Sequence, residues 1–392
     1  MSSAHQAGST QFSVAELLTQ ASADTGLDDF GDDEFREGLS RIVDSTNREI
    51  VLSPIGAAAF QAEINRMLVN RLRFADDLKK RPEIRNEDLS APVIVLGLPR
   101  TGTTKLQRML ASDTGLLSLK FWQTMNPARF PDALPGAEDP RIAAARQALD
   151  MMTQLSPGMM QSHPMKVDDA EEEIFLQLLM FKTIANNMAH PAPAHFEWAS
   201  QQSMRSTYQY MFLMLQYLQW QAGGRQGRRW ILKTPLHIGN LDFMNELFPG
   251  ATYVFPHRDP RQSMPSFCRL VEMFWRVKTD NIDLHAIGRF VLGVWAVEMN
   301  KYIASRDRLG SKVSVYDVPY AQVRDEPLAV MREIYRRAGL AWTPGHEKTV
   351  KDWEQQNEPG QYGNQGYSLE KYGLTAEAVD TAFSEYRRRY LS

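Results

Sequence analysis

Four consecutive apolar residues, Val93-Ile94-Val95-Leu96, run directly into the turn Gly97-Leu98-Pro99-Arg100-Thr101-Gly102-Thr103-Thr104. An apolar run that does not alternate reads as a strand covered on both faces, which is how parallel sheets are built. A helical pattern through Leu106, Met109 and Leu110 follows. Strand, glycine-rich turn and helix in that order commit the chain to an α/β sheet. They also leave the N–H groups of the first helical turn pointing outward, at a helix end whose dipole favours negative charge.

The rest of the pattern agrees. Trp230-Ile231-Leu232 and Thr252-Tyr253-Val254-Phe255 predict two more strands, joined by a helix over Leu236 to Phe248 that stops at Pro249-Gly250. That unit has the length of a right-handed parallel crossover. Lys312 to Val318 alternates as a fourth strand, and Pro327 to Ala338 is a helix closed by Gly339. The expected fold class is therefore α/β, a three-layer parallel sheet of P-loop type over about residues 90–340, with a helical N-terminal layer and a helical insertion. Residues 1–12 read as a flexible tail and 13–392 as a single domain. Within it, 13–90 is the helical layer, 91–120 the glycine-rich-turn unit, 121–223 the helical insertion, 224–340 the remaining core and 341–392 a C-terminal segment. The acidic stretch Asp28, Asp29, Asp32, Asp33, Glu34 reads as a solvated helix entry.

Composition removes several function classes. With 44 basic and 47 acidic side chains the net charge is −3, so no global positive field draws the chain to nucleic acid or anionic lipid. Cys268 is the single cysteine, which excludes an intrachain disulfide framework and a Cys-rich zinc module and fits a cytoplasmic setting. No apolar run approaches the roughly 20 residues of a membrane span, and the pattern sets no oligomeric state.

Gly97 and Gly102 let a backbone approach a phosphate closely, Thr101, Thr103 and Thr104 add hydroxyl groups, and Arg100 adds a permanent charge with a fork suited to oxyanions. The glycine spacing matches a P-loop, but Thr103 stands where a nucleoside-triphosphatase carries its phosphate-clamping lysine. That opposes a kinase or ATPase. A second constellation, His257-Arg258-Asp259-Pro260 with Ser263 and Ser266, follows the third strand. Asp259 and Pro260 read as a helix start, placing Arg258 at a strand end where ligands of doubly wound sheets bind.

Both constellations, in this order, resemble the sulfotransferases that use PAPS (3′-phosphoadenosine-5′-phosphosulfate), in particular their bacterial-type branch. The resemblance extends over nearly the whole chain, including Lys233-Thr234-Pro235-Leu236-His237 and the segment from Tyr367 to Leu374. It implies that Arg100, Thr101, Gly102, Thr103 and Thr104 hold the 5′-phosphosulfate, that Arg258 and Ser266 hold the 3′-phosphate, and that Tyr320 contacts the nucleotide. It implies Lys233 as the catalytic cation stabilising the leaving oxygen, with Arg100 assisting.

Sulfuryl transfer is an in-line displacement for which fixed cations suffice by analogy with phosphoryl transfer, so no metal is expected. The family pattern breaks at the general base: relatives carry Trp-Glu where this chain has Trp122-Gln123. His163, with Glu172 as its partner, is the first substitute and His237 the second. The methionines of the insertion, from Met151 to Met214, are better explained by helical core packing than by an acceptor surface, but thioethers would suit an apolar acceptor, and the expected acceptor class is a small-molecule or lipid-like hydroxyl or amine. The rival readings are a kinase or nucleoside-triphosphatase, and a nucleotide-binding protein without catalysis.

Overall fold

The computed structural model describes residues 11–134, 136–156, 158, 164–357 and 368–391. Five parallel strands form one sheet: β1 (Val93–Val95), β2 (Leu116–Ser118), β3 (Arg229–Lys233), β4 (Thr252–His257) and β5 (Ser314–Pro319), in spatial order β2-β3-β1-β4-β5. β1 lies at the centre, with Val93 level with Ile231 on one side and Thr252 on the other. Its continuous apolar character follows from that place. Val93 and Val95 pack into one apolar layer with Leu106, Ile231, Val254 and Ile334, while Ile94 and Leu96 pack into the larger layer on the opposite face.

Helices cover both faces. The N-terminal layer is α1 (Val14–Thr25), α2 (Phe35–Glu49) and α3 (Pro54–Lys80). Serine side chains cap two of them, Ser13 accepting from the Glu16 N–H and Ser53 from the Gly56 N–H. Buried Arg71 ties this layer to the insertion: it donates to the carbonyls of Asp32 and Leu179 and lies 4.0 Å from the Phe35 ring centre.

Three differences from the sequence reading have physical causes. Leu116-Leu117-Ser118 adds an edge strand that three residues were too short to signal. The expected helix from Leu236 to Phe248 is instead a tight 3-10 stretch, Pro235–Asn240, followed by an α-helix, Leu241–Leu247. A Cβ on Gly239 would lie 1.6 Å from Glu298 Oε2, so the 3-10 stretch is pressed against the long helix Leu284–Leu309 that carries Glu298. The acidic stretch is solvated as expected, with Asp28, Asp32, Asp33 and Glu34 exposed, and Asp29 pairs with Lys79 and Glu34 with Lys182 at the surface. Phe12, assigned to the tail, packs on Phe60, and its N–H donates to Asn47 Oδ1 at 2.9 Å.

Candidate functional site

α4 (Thr103–Ala111) begins at Gly102, which carries no side chain to cap it, so its first-turn N–H groups open toward the loop. The loop winds through the left-handed region at Gly97 (φ 134°), Arg100 (φ 66°) and Gly102 (φ 89°). For Arg100 this conformation costs energy, and such strain collects where a backbone must be aimed. Gly102 has a second reason to be glycine, because a Cβ there would meet the Tyr320 ring at 3.1 Å. Thr101 is fully buried and its hydroxyl donates to Leu98 O at 2.7 Å. There it closes the turn.

Arg258 leaves the end of β4 and reaches this loop. Its Nη1 donates to Arg100 O at 2.8 Å, its Nε donates to Gln262 Oε1 at 3.2 Å, and its guanidinium lies 4.4 Å from the Tyr320 ring centre. Arg100 Nε in turn donates to Ser266 Oγ at 3.1 Å. Ser266 sits in the helix Pro260–Lys278, which Asp259 caps by accepting from the Arg261 N–H. Arg100, Gly102, Arg258, Ser266 and Tyr320 therefore converge at the carboxyl ends of β1 and β4. His257, next to Arg258, is held by Tyr386 Oη and Asp317 and stacks on Phe255 and Tyr390. Burial lowers its pKa, against the opposing pull of Asp317. That ring anchors the strand end to the C-terminal helices.

Lys233, at the end of β3, is 1% exposed. Its Nζ pairs with Glu172 and lies 3.3 Å from Thr104 Oγ1, while Glu172 Oε2 accepts from Thr234 Oγ1 at 3.0 Å. The partner expected for His163 thus belongs to Lys233; His163 itself lies outside the described residues. Glu171 accepts from Arg108 of α4 at 3.0 Å, and Glu173 accepts from the Lys233 N–H at 3.0 Å. Three successive glutamates stitch α4 to the end of β3. Sequence reasoning missed this clamp, although a run of acids set against apolar Ile174-Phe175-Leu176 was its signal. His237, the second substitute base, is fully buried, with Tyr208 and Glu173 against its two ring nitrogens. Gln123 accepts from the Lys120 N–H at 2.9 Å and caps its own short helix, Phe121–Met125.

Residues 92–344 match the model of the sulfotransferase family. This chain is a sulfotransferase family member. The matched stretch contains the loop, the glutamate clamp, Lys233, Arg258 and Tyr320. Among solved structures, sulfotransferase STF1 from Mycobacterium tuberculosis H37Rv is 27% identical, with 96% of this chain and 100% of that chain covered and a TM-score of 0.80. Sulfotransferase STF9 from Mycobacterium avium is also 27% identical, with 98% of each chain covered and a TM-score of 0.82. No curated protein sequence matches. Family membership removes the kinase reading that the glycine spacing left open.

Two sets of methionines in this sulfotransferase bear on the acceptor side. Met180, Met211 and Met214 are buried in the main core, so they do not line an acceptor surface. Met165 and Met273, with partly buried Met125 and Met152, join Phe121 and Trp122 in a separate small cluster. The Phe121 and Trp122 N–H groups bond the carbonyls of Asp169 and Val167, on the segment that leads to Glu172. Met159 and Met160 lie outside the described residues. Among the described residues, no helix is long and apolar enough to cross a membrane.

Proposed function

We propose that this sulfotransferase moves a sulfuryl group from PAPS to the hydroxyl or amine of a small-molecule or lipid-like acceptor and releases PAP. The observation that carries the reading is the junction of the two arginine elements. Arg258 bonds the carbonyl of Arg100, and Arg100 bonds Ser266, across 158 and 166 positions of sequence. A donor with phosphate groups on both sides of its ribose needs two anion-binding elements in one site. In this reading the loop from Arg100 to Thr104, mainly through N–H groups, takes the phosphosulfate. Arg258 and Ser266 take the 3′-phosphate, and Tyr320 lies against the nucleotide.

For a hydroxyl acceptor the chemistry is an in-line exchange of one S–O bond for another, and for an amine the new bond is S–N. The acceptor oxygen forms a bond to sulfur, the bond from sulfur to the bridging phosphate oxygen breaks, and PAP leaves with that electron pair. Lys233 and Arg100 stabilise the departing oxygen. The acceptor's proton passes to Glu172, whose carboxylate lies beside Lys233 and is the most exposed member of the clamp, at 18%. It supplies the group that Gln123 lacks, which disfavours a non-catalytic role. The partly buried Trp122, Met125 and Met152 of the small apolar cluster beside this segment support an apolar acceptor.

Calorimetric titration with PAP and with ATP in the presence of EDTA tests the donor. Binding of PAP without a divalent ion, with ATP markedly weaker, is the expected result. An absence of PAP binding overturns the assignment.

A further inference from the structure

The positions of Lys233 and Glu172 depend on groups that never touch the reacting atoms. Glu173 is fully buried and both its oxygens are engaged: Oε2 accepts from the Lys233 N–H at 3.0 Å, and Oε1 lies 2.5 Å from His237 Nε2. The other ring nitrogen of His237, Nδ1, lies 2.8 Å from Tyr208 Oη. A tyrosine hydroxyl donating to Nδ1 selects the tautomer with its proton on Nε2, and that N–H meets the carboxylate. The chain Tyr208, His237, Glu173, Lys233 is consistent in its donors and acceptors, and all four residues are at most 1% exposed.

Glu172 is the preceding residue, and it holds the side chain of the same lysine. Consecutive carboxylates therefore grip Lys233 twice, Glu173 by the main chain and Glu172 by the ammonium. The second grip takes its geometry from the first, because a carboxylate bonded at both oxygens cannot turn. His237 enters on the 3-10 stretch that Gly239 presses against Glu298, so its ring is fixed by backbone packing.

We infer that Glu173 and His237 are positioning residues, which set the separation of the Lys233 ammonium from the Glu172 carboxylate and hence the reactivity of both. This rests on the reading of Lys233 and Glu172 as the groups that act on the leaving oxygen and the acceptor proton.

His237→Phe keeps a ring but removes both hydrogen bonds, whereas His237→Gln keeps a donor near the place of Nε2. Three quantities are measured: PAP affinity by calorimetry, PAP formed from PAPS with 4-nitrophenol as the acceptor probe, and the rate at which trace acetic anhydride labels Lys233, read by peptide mass spectrometry. In His237→Phe, turnover falls about 10- to 100-fold, the range seen when the support of a reacting group is removed, while PAP affinity stays within about threefold. Lys233 is labelled at least about three times faster as its clamp loosens, and His237→Gln recovers most of both properties. Wild-type turnover and labelling in His237→Phe, or a His237→Gln variant no better than it, overturns the inference. If His237→Phe does not fold, Tyr208→Phe removes the outer hydrogen bond alone; a smaller rise in Lys233 labelling supports the couple and an unchanged rate refutes it. A wild-type chain that neither binds PAP nor consumes PAPS overturns the donor reading only, and the labelling rates then decide the couple.

Discussion

Replacing Arg258 by alanine separates the two jobs its guanidinium performs. One is structural: it donates to Arg100 O and lies over the Tyr320 ring. A partly buried hydrogen bond and a cation–π contact are together worth about 1 kcal/mol of loop order, and losing them weakens any nucleotide about fivefold. The other is specific to the 3′-phosphate. A charge-assisted hydrogen bond contributes about 1.5–3 kcal/mol, which is about 10- to 150-fold in affinity. Arg258→Ala is therefore expected to weaken PAP about 50-fold or more while weakening adenosine 5′-monophosphate only about fivefold, a ratio that isolates the phosphate contact. Isothermal titration of both ligands against both chains measures it. Equal losses for the two nucleotides refute the assignment of Arg258 to the 3′-phosphate and leave it a loop brace.

Glu172→Gln removes the proposed base but keeps a side chain of the same shape against Thr234. Steady-state turnover of PAPS is expected to drop about 10²- to 10⁴-fold with PAP affinity nearly unchanged, and an unaltered rate together with a slow His163→Ala chain would move the base to the histidine. Gly102→Ala meets both a left-handed backbone and the Tyr320 ring, so a fall in melting temperature equivalent to about 1–2 kcal/mol is expected along with weaker PAP binding; a neutral result contradicts the contact. Burial, helped by the nearby Lys278 charge, lowers the pKa of His190 to about 3, and burial lowers that of His195 to about 4. A histidine depressed in the folded chain binds its proton more readily when unfolded, so stability is full above pH about 6.5 and is lost as pH falls toward those values. Between pH 7.5 and 5 each histidine accounts for about 2 kcal/mol, and His190→Phe, which keeps the stack on Phe60, should remove one such share in urea titrations at the two pH values. An unchanged pH dependence in that variant rules out His190 as a source.

The elements that the sequence displayed clearly are those whose residues answer to one local requirement. β1 is apolar at every position because both its faces are covered, and the loop after it is glycine at 97 and 102 because the backbone there turns left-handed. The helix from Pro327 to Ala338 carried its proline start and glycine stop. The edge strand Leu116–Ser118 carried no such mark, since three residues fit a strand, a turn or a helix end alike. The split of the Leu236 to Phe248 segment was likewise hidden, because the pressure on Gly239 comes from Glu298, 59 positions away.

The same division runs through the site. Arg100, Lys233, Arg258, Ser266 and Tyr320 were picked out by motif and resemblance, because the proposed anion site demands particular side chains at particular places along the loop and strand ends. The roles of Thr101, Glu172, Glu173 and His237 were not. A threonine hydroxyl near a phosphate loop can face a ligand or its own turn, and the bond to Leu98 O is what separates these. A glutamate can pair with any cation within reach; only the meeting of the 171–173 segment with the end of β3 assigns Glu172 to Lys233. Local sequence thus settled the strand, loop and helix of the proposed anion site, since backbone conformation and helix ends depend on near neighbours. Which carboxylate faces which cation waited on folding, since Coulombic pairs and buried hydrogen bonds form between parts of the chain that packing alone brings together.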